Sequence, residues 1–423
     1  MKQLITGGMV YCQNGFLHRD VAIVDGKIHS VSVSIPTFGF DNIISAENKY
    51  LIPGFADVHV HLREPGFSYK ETIATGTRAG AKGGYTALCT MPNLNPVPDS
   101  ALHLAQQQEL IQKTGCIRVY PYASITVGQK GEELTDFEAL AKAGALAFSD
   151  DGKGIQDEGM MREAMERAKV LGKHIVAHCE DNSLLFGGYI HAGEYAQAHG
   201  HRGISSQSEW KQIERDLRLA ADTGCRYHVC HISTKESVAL IRDAKASGVK
   251  VTCETGPHYL TMCDMDLQED GRFKMNPPIR GAADRDALVQ GLVDGTIDCV
   301  ATDHAPHSEE EKSKGLEKSM MGVVGLETAF GVLNTHLVNK GVLSLEKLVE
   351  AMSVRPRAIF GLQGGAIGEG QPADLTLLDT QSRWTVEPDK FVSLGHSTPF
   401  AGWELCGEAV MTMVDGNIVW QKQ

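Results

Sequence analysis

Between Leu51 and about Leu362 the chain alternates eight short, nearly continuous apolar runs with longer amphipathic stretches, and this rhythm restricts the possible folds more than any other feature. The runs begin near Leu51, Tyr85, Ile117, Ala145, His174, Tyr227, Val249 and Ile297. Intervening stretches such as Met160–Leu171, Ser208–Thr223, Thr234–Ser247 and Asp284–Asp294 predict helices. A strand that is apolar on both faces must be covered on both faces, which implies a parallel sheet with helical crossovers. Eight such units predict an α/β fold, a (β/α)8 TIM-like barrel, over an open sheet.

The flanks carry a different pattern. Asp20–Ile28 reads as strand, Asp25-Gly26 turn, strand, and Ala409–Val419 repeats that arrangement around Asp415-Gly416. Asp374–Asp379 adds another short strand. Neither flank can hold a core alone, so the expectation is a small β-sandwich domain assembled from both termini. Residues 1–50 supply its N-terminal part, 51–362 the barrel, and 363–423 its C-terminal part.

Composition narrows the function. The formal charge is −13, from 40 Lys and Arg against 53 Asp and Glu, which argues against a nucleic-acid partner. No window reaches the ~18 continuous apolar residues of a membrane span, and Met1–Thr6 lacks a secretory apolar region. The ten cysteines are scattered without a CxxC pair, several inside apolar runs, as expected of reduced thiols packed as small hydrophobes. A soluble, cytoplasmic protein is the expectation.

The chemistry lies at the strand ends. The first barrel strand ends in His59-Val60-His61, and alternation sends both imidazoles to one side. His178 closes the fifth run, His231 the sixth and Asp303 the eighth, while Asp150 and Asp151 follow the fourth. In a barrel these ends meet at the face that carries function. Imidazole and carboxylate ligands suit Zn²⁺ or a similar divalent ion. Four His and two carboxylates exceed one tetrahedral site, so two metals with a bridging group account for the number. Such a pair favours amide hydrolysis or its reverse, with Asp303 placed to move the proton. No serine or cysteine nucleophile site and no phosphate-cradling glycine motif competes.

These residues resemble a known family. The stretch Pro53–Gly66 (Pro-Gly-Phe-Ala-Asp-Val-His-Val-His-Leu-Arg-Glu-Pro-Gly) is similar to the opening strand of the amidohydrolase superfamily, and its ending to class I bacterial dihydroorotases. Thr90–Asn93, Ser149–Gly152, Cys230–Thr234, Glu254–Leu260, Lys274–Pro278, Thr302–His307 and Thr398–Glu404 extend the resemblance in order along the chain. It implies reversible, zinc-dependent cyclisation of N-carbamoyl-L-aspartate to (S)-dihydroorotate in de novo pyrimidine (UMP) biosynthesis. By the same resemblance His59, His61 and Asp303 bind one Zn²⁺, and His178 and His231 a second. Asp151 and a hydroxide bridge the two, and Asp303 is the catalytic proton shuttle. His61, Arg63, Asn93, Asn276 and His307 hold the substrate, with Met321 and Gly322 completing the pocket. A homodimer and association with aspartate transcarbamoylase are further implications.

Alternatives attach to particular residues. Allantoinases and hydantoinases bridge their metals with a carbamylated lysine, for which Lys153 is the nearest candidate, and a one-residue register change would exchange Asp150 for Asp151. A third reading is an inactive dihydroorotase-like scaffold subunit; such relatives have lost metal ligands, whereas all six candidates are present here. His258 reads as a turn residue, His304 as a packing group, and His199 with His201 as part of a solvated loop. The charged run Ser308–Lys314 opens a 308–320 segment that reads as a solvated loop or a mobile lid. Met320-Met321-Gly322 departs from relatives that place an aromatic before the glycine.

Overall fold

The computed structural model describes residues 1–13 and 15–422; Asn14 and Gln423, inside the expected terminal portions, lie outside the described residues. The two ends of the chain build one eight-stranded sheet. Its order runs Asn417–Gln421, Glu404–Val414, Leu375–Thr385, Tyr50–Pro53, Lys2–Cys12, Gly15–Val24 and Lys27–Ser32, with Asn42–Ser45 also paired to Lys2–Cys12. The sheet folds over so that the Ile28 amide donates to the Gln371 carbonyl at 2.9 Å. Ile5, Val21, Ile23, Leu51, Leu375 and Met413, drawn from both termini, form its core. Both predicted turns are present. Asp25-Gly26 and Asp415-Gly416 all have positive φ, as a two-residue hairpin turn demands. The turns also pack on each other, since a Cβ on Gly26 would lie 2.7 Å from the Asp415 carbonyl oxygen.

The barrel follows the predicted rhythm, with two differences. The run from Leu51 is two strands rather than one. Tyr50–Pro53 belongs to the terminal sheet, antiparallel to Leu375–Thr385, while Phe55–Val60 opens the barrel. Gly54 separates them where a Cβ would come within 2.3 Å of the Thr86 side chain. The run from Ala145 is a bridge rather than a full strand: Phe148 pairs with Ala123 on one side and Ile175 on the other. The remaining strands are Tyr85–Thr90, Arg118–Pro121, His174–Ala177, Arg226–Val229, Val251–Thr255 and Cys299–Val300, paired in parallel in the two groups on either side of Phe148. A parallel bridge between Val60 and His304 closes the circle.

Inward positions are filled by Ala56, Val58, Ala87, Cys89, Val176, Cys230, Cys299 and Ala301, so several cysteines are packing groups in the barrel. All ten cysteines are unpaired. The predicted helices form at Glu158–Val170, Gln207–Thr223, Lys235–Ala246 and Ala282–Asp294. Asp157 caps the first by accepting from the Met160 amide, and Thr234 caps the third by accepting from Ser237. Among the described residues no helix is long and apolar enough to cross a membrane.

His174 starts the fifth strand with its ring 5.0 Å from that of Phe360. Burial, reinforced by nearby His228 and Arg226, pushes its pKa from 6.5 down to about 3. The unfolded chain therefore takes up a proton at this imidazole across a window in which the fold does not, and stability declines as pH falls from about 6.5 toward 3. His174→Gln is expected to reduce the loss of melting temperature between neutral and mildly acidic pH by roughly 2–4 °C. Thermal scans of both proteins across that range check it, and equal losses would exclude His174 as a source of acid sensitivity.

Candidate metal centre

The strand ends are shaped by unusual backbone. His231 and Asp303 have φ of +31° and +47°, and Arg63, just past the first strand, has +62°. Side-chain-bearing residues adopt such values at a cost, and the surrounding structure must hold them there. Asp57 supplies part of that support. Its carboxylate accepts from the His59 amide at 3.0 Å and the Thr302 hydroxyl at 2.6 Å, joining the first and eighth strands beneath the cluster. Burial pushes its pKa up to about 7 against those donors.

His59 Nε2 lies 3.4 Å from Asp151 Oδ1 and 3.5 Å from Asp303 Oδ1. His61 Nε2 lies 3.2 Å from Asp303 Oδ1 and 3.5 Å from Asp151 Oδ2. On the other side of Asp151, His231 Nε2 and His178 Nδ1 are 3.6 and 3.8 Å from Oδ1. Two groups whose ligand atoms fall within 4.8 Å, His59–His61–Asp151 and Asp151–His178–His231, share Asp151, and His59–His231–Asp303 forms a third.

This arrangement fits a bound cation. His59 Nε2 and Asp151 Oδ1 are buried without a hydrogen-bond partner among the described residues. His178 Nδ1 and His231 Nε2 face each other at 3.0 Å, two nitrogens turned toward the same space. Burial works to raise the Asp151 pKa, yet His59, His231 and His61 hold it well below the ordinary carboxylate range. Asp303 is likewise lowered against burial by His59, His61 and His231. Two buried carboxylates ringed by imidazoles form a donor set for divalent metal.

Most of the competing residues are engaged elsewhere, although His258 Nε2 is buried without a hydrogen-bond partner among the described residues. Asp150 accepts from the Ile125 amide at 2.8 Å and from the Thr126 amide and hydroxyl. Lys153 is exposed. His304 packs as expected: its Nε2 is 3.4 Å from Glu71 Oε2 and its Nδ1 accepts from Gly325. His258 is buried with its ring against Tyr259, and burial lowers its pKa to about 4. His199 and His201 stack beside Tyr195, with His201 Nε2 2.8 Å from Glu269.

A cavity of about 270 Å³ opens over the cluster, and all the residues expected to grip substrate line it: His61, Arg63, Asn93, Asn276, His307, Met321 and Gly322. Burial lowers the Arg63 pKa to about 10, which leaves it a cation at neutral pH. Burial, with Arg63 and Lys70 nearby, pushes His307 down to about 3, so this imidazole is neutral. Its Nδ1 accepts from Lys70 at 3.3 Å, which leaves Nε2–H to donate to the Met321 carbonyl at 2.9 Å. The Asn93 amide donates to the Asp151 carbonyl at 2.7 Å. One detail departs from expectation. The Gly322 N–H donates to the Lys274 carbonyl at 3.0 Å, so the amide is engaged within the wall.

Three contributors were missed from sequence. Glu254 is wholly buried, 2.7 Å from His59 Nδ1 and 3.2 Å from His228 Nε2. Burial works to raise its pKa, but hydrogen bonds from His228 and His59 bring it to about 2. The available signal was a charged residue in the middle of a buried strand. Lys70, which bridges His307 and Glu311, had no comparable signal. Lys312 donates to the carbonyls of Lys274, Met320 and Gly322 at 2.8–2.9 Å. It thereby ties the 308–320 segment, with its short helices Glu309–Lys312 and Gly315–Lys318, to the cavity wall.

Comparison with known proteins gives a consistent result. A family profile described as Dihydro-orotase-like matches residues 48–237, and one described as Amidohydrolase family matches 198–420. The chain is 51% identical to a dihydroorotase of Geobacillus thermodenitrificans, covering 100% of this chain and 99% of that protein. It is 52% identical to a dihydroorotase of Shouchella clausii with the same coverage. Among solved structures, the L-hydantoinase (dihydropyrimidinase) of Arthrobacter aurescens superposes with a TM-score of 0.90 at 28% identity, over 99% of this chain and 96% of that one. A dihydropyrimidinase from Brevibacillus agri, at 23% identity and a TM-score of 0.87 over 100% of this chain and 95% of that one, shares the fold.

Lys312→Met keeps the aliphatic stem but removes the three hydrogen bonds, so the 308–320 segment should open more often. Limited proteolysis is expected to cut there about tenfold faster in the variant. Unchanged cleavage would show that other contacts hold the segment.

Proposed function

The chain belongs to the dihydroorotase family of amidohydrolases, and we propose that its strand-end cluster holds two zinc ions for the reversible cyclisation of N-carbamoyl-L-aspartate to dihydroorotate. It is a hydrolase acting on cyclic amides in pyrimidine biosynthesis, and its site takes a divalent metal. The observation that carries the finer reading is the sharing of Asp151 between two ligand groups. In this assignment His59, His61 and Asp303 hold one ion, His178 and His231 the other, and Asp151 touches both. When bound, the metals supply an acidified water and a Lewis acid for the ring carbonyl.

The chain's own residues do the rest. Asp303 is a carboxylate, held so by His59, His61 and His231 despite burial. In the hydrolytic direction it accepts the proton of the attacking water and returns it to the ring nitrogen as the amide bond breaks. Arg63 and Asn93 bind the substrate carboxylate, and neutral His307, its Nε2–H donating to the Met321 carbonyl, adds no charge to repel Arg63. Asn276 also lines the cavity. The cationic end of the cavity favours a ring that bears a carboxylate over an uncharged hydantoin. The family reading also carries a homodimer, association with aspartate transcarbamoylase, and a cytoplasmic setting.

Ultraviolet-monitored conversion of dihydroorotate, before and after chelation and zinc readdition, tests the assignment. Turnover that falls with chelation and returns with zinc is expected, whereas failure with metal bound would turn the search to hydantoins and allantoin. Asp303→Ala should lower turnover by about 10²–10⁴-fold even where zinc remains bound. Near-normal activity would remove Asp303 from the proton-transfer role. Arg63→Ala should raise KM for dihydroorotate far more than for an uncharged cyclic amide, and equal effects would refute the carboxylate grip.

A further inference from the structure

We propose that Glu254 is a positioning residue that couples the two halves of the metal centre through one carboxylate oxygen. The inference rests on the assignment of the strand-end residues as metal ligands. Oε1 lies 2.7 Å from His59 Nδ1 and accepts from the His231 backbone amide at 3.4 Å. One atom on the seventh strand thus touches a ligand of each half. Oε2 is held by His228 Nε2 at 3.2 Å, and His228 Nδ1 is in turn 2.7 Å from the Thr252 hydroxyl. The carboxylate is wholly buried, and His228 and His59 fix both of its oxygens.

Two consequences follow from this geometry. A carboxylate at Nδ1 requires a hydrogen to sit there, which leaves Nε2 as the nitrogen of His59 that can hold a metal. Nε2 is the nitrogen that faces Asp151 and Asp303. A second partner of this kind fixes the ring's tautomer and orientation and raises its basicity toward metal. The contact to the His231 amide acts on backbone rather than on an imidazole. His231 holds a left-handed φ of +31°, and the Glu254 oxygen is a partner for the amide that this conformation presents. Asp57 supports the first strand from below but does not contact the second half of the cluster. Glu254 reaches both.

Glu254→Gln is nearly isosteric and keeps an oxygen for His59, but it withdraws the charge and turns an amide group toward a second partner. Competition between the metal-free protein and a zinc chelator should show affinity lower by about 10–100-fold in E254Q, with a melting temperature for the metal-free variant close to that of metal-free wild type. Asp216→Asn is the control for a purely structural role. Asp216 is equally buried, bonded to the Tyr227 hydroxyl and Arg215, and it touches no ligand. That variant should melt lower while binding zinc within about twofold of wild type.

Wild-type zinc affinity in E254Q overturns the inference. Absence of zinc binding by wild-type protein overturns the metal-centre assignment, and this inference with it. Should E254Q fail to fold, isotopically labelled histidine in zinc-loaded wild-type protein gives the answer. In the zinc-loaded protein the imidazole signal missing from H59Q must belong to a ring that keeps Nδ1–H and binds zinc through Nε2, and a ring bound through Nδ1 would refute the proposal.

Discussion

The negative charge of Asp151 and Asp303, buried where water does not screen it, is the constraint around which the mouth of the barrel is organised. Both carboxylates stay ionised because four imidazoles surround them. Buried charges are tolerated only when paired, and imidazoles can answer either by taking protons or by sharing a cation. A divalent ion satisfies the same field without drawing protons into the site. Strained backbone at His231 and Asp303 is the local cost of bringing ligands from opposite sides of the barrel onto one point. Asp57 and Glu254, each wholly buried beneath the ligands, offset that cost with hydrogen bonds to backbone and imidazole.

The cavity above this floor is polarised in the opposite sense. Arg63 and Lys70 flank His307, which remains neutral because it is buried between them. If His307 were protonated, three cations would crowd one wall. As a neutral ring it relays Lys70's hydrogen bond at one nitrogen and offers N–H at the other. Glu311 pairs with Lys70 at 2.9 Å, so the segment after His307 is fastened to the same wall by an ion pair and by Lys312. Lys70 thus joins Glu311 of that segment to His307 of the cavity wall.

Most of the scaffold was legible in the sequence because it depends on local rules. The Asp-Gly turns specify positive φ, and the His-x-His alternation specifies a shared face. Apolar runs specify buried strands. The six strand-end residues could be singled out because a polar group at the end of an apolar run stands out. What escaped was information carried by partners distant in sequence. Glu254 is 195 residues from His59, and nothing local shows that its charge is spent on an imidazole. Lys312 reads as one member of a solvated charge run, yet three carbonyls surround its ammonium. The division between Tyr50–Pro53 and Phe55–Val60 was hidden for another reason. Both pieces are buried and apolar, so hydropathy does not change where the chain passes from one sheet to the other.

That passage links the terminal sheet to the chemistry. Ser353 donates to the carbonyls of Pro53 and Gly54 at 2.8–2.9 Å, and Arg357 reaches the Thr86 hydroxyl at 2.6 Å. Arg118 at the third strand holds Asp374 through two nitrogens at 2.6 and 3.2 Å, and Asp415 at 2.5 Å. Thr376 and Thr412 of the sheet donate to the Gly84 and Ala81 carbonyls at the entrance to the second strand. The first strand therefore enters the barrel with its register fixed from outside. The pairing of this strand is irregular between Asp57 and Val60, and a slip of one residue would carry His59 and His61 off the positions that meet Asp151 and Asp303. Among the described residues the β domain contributes none to the cavity lining, yet by pairing with residues 50–54 it fixes where the first strand enters the barrel.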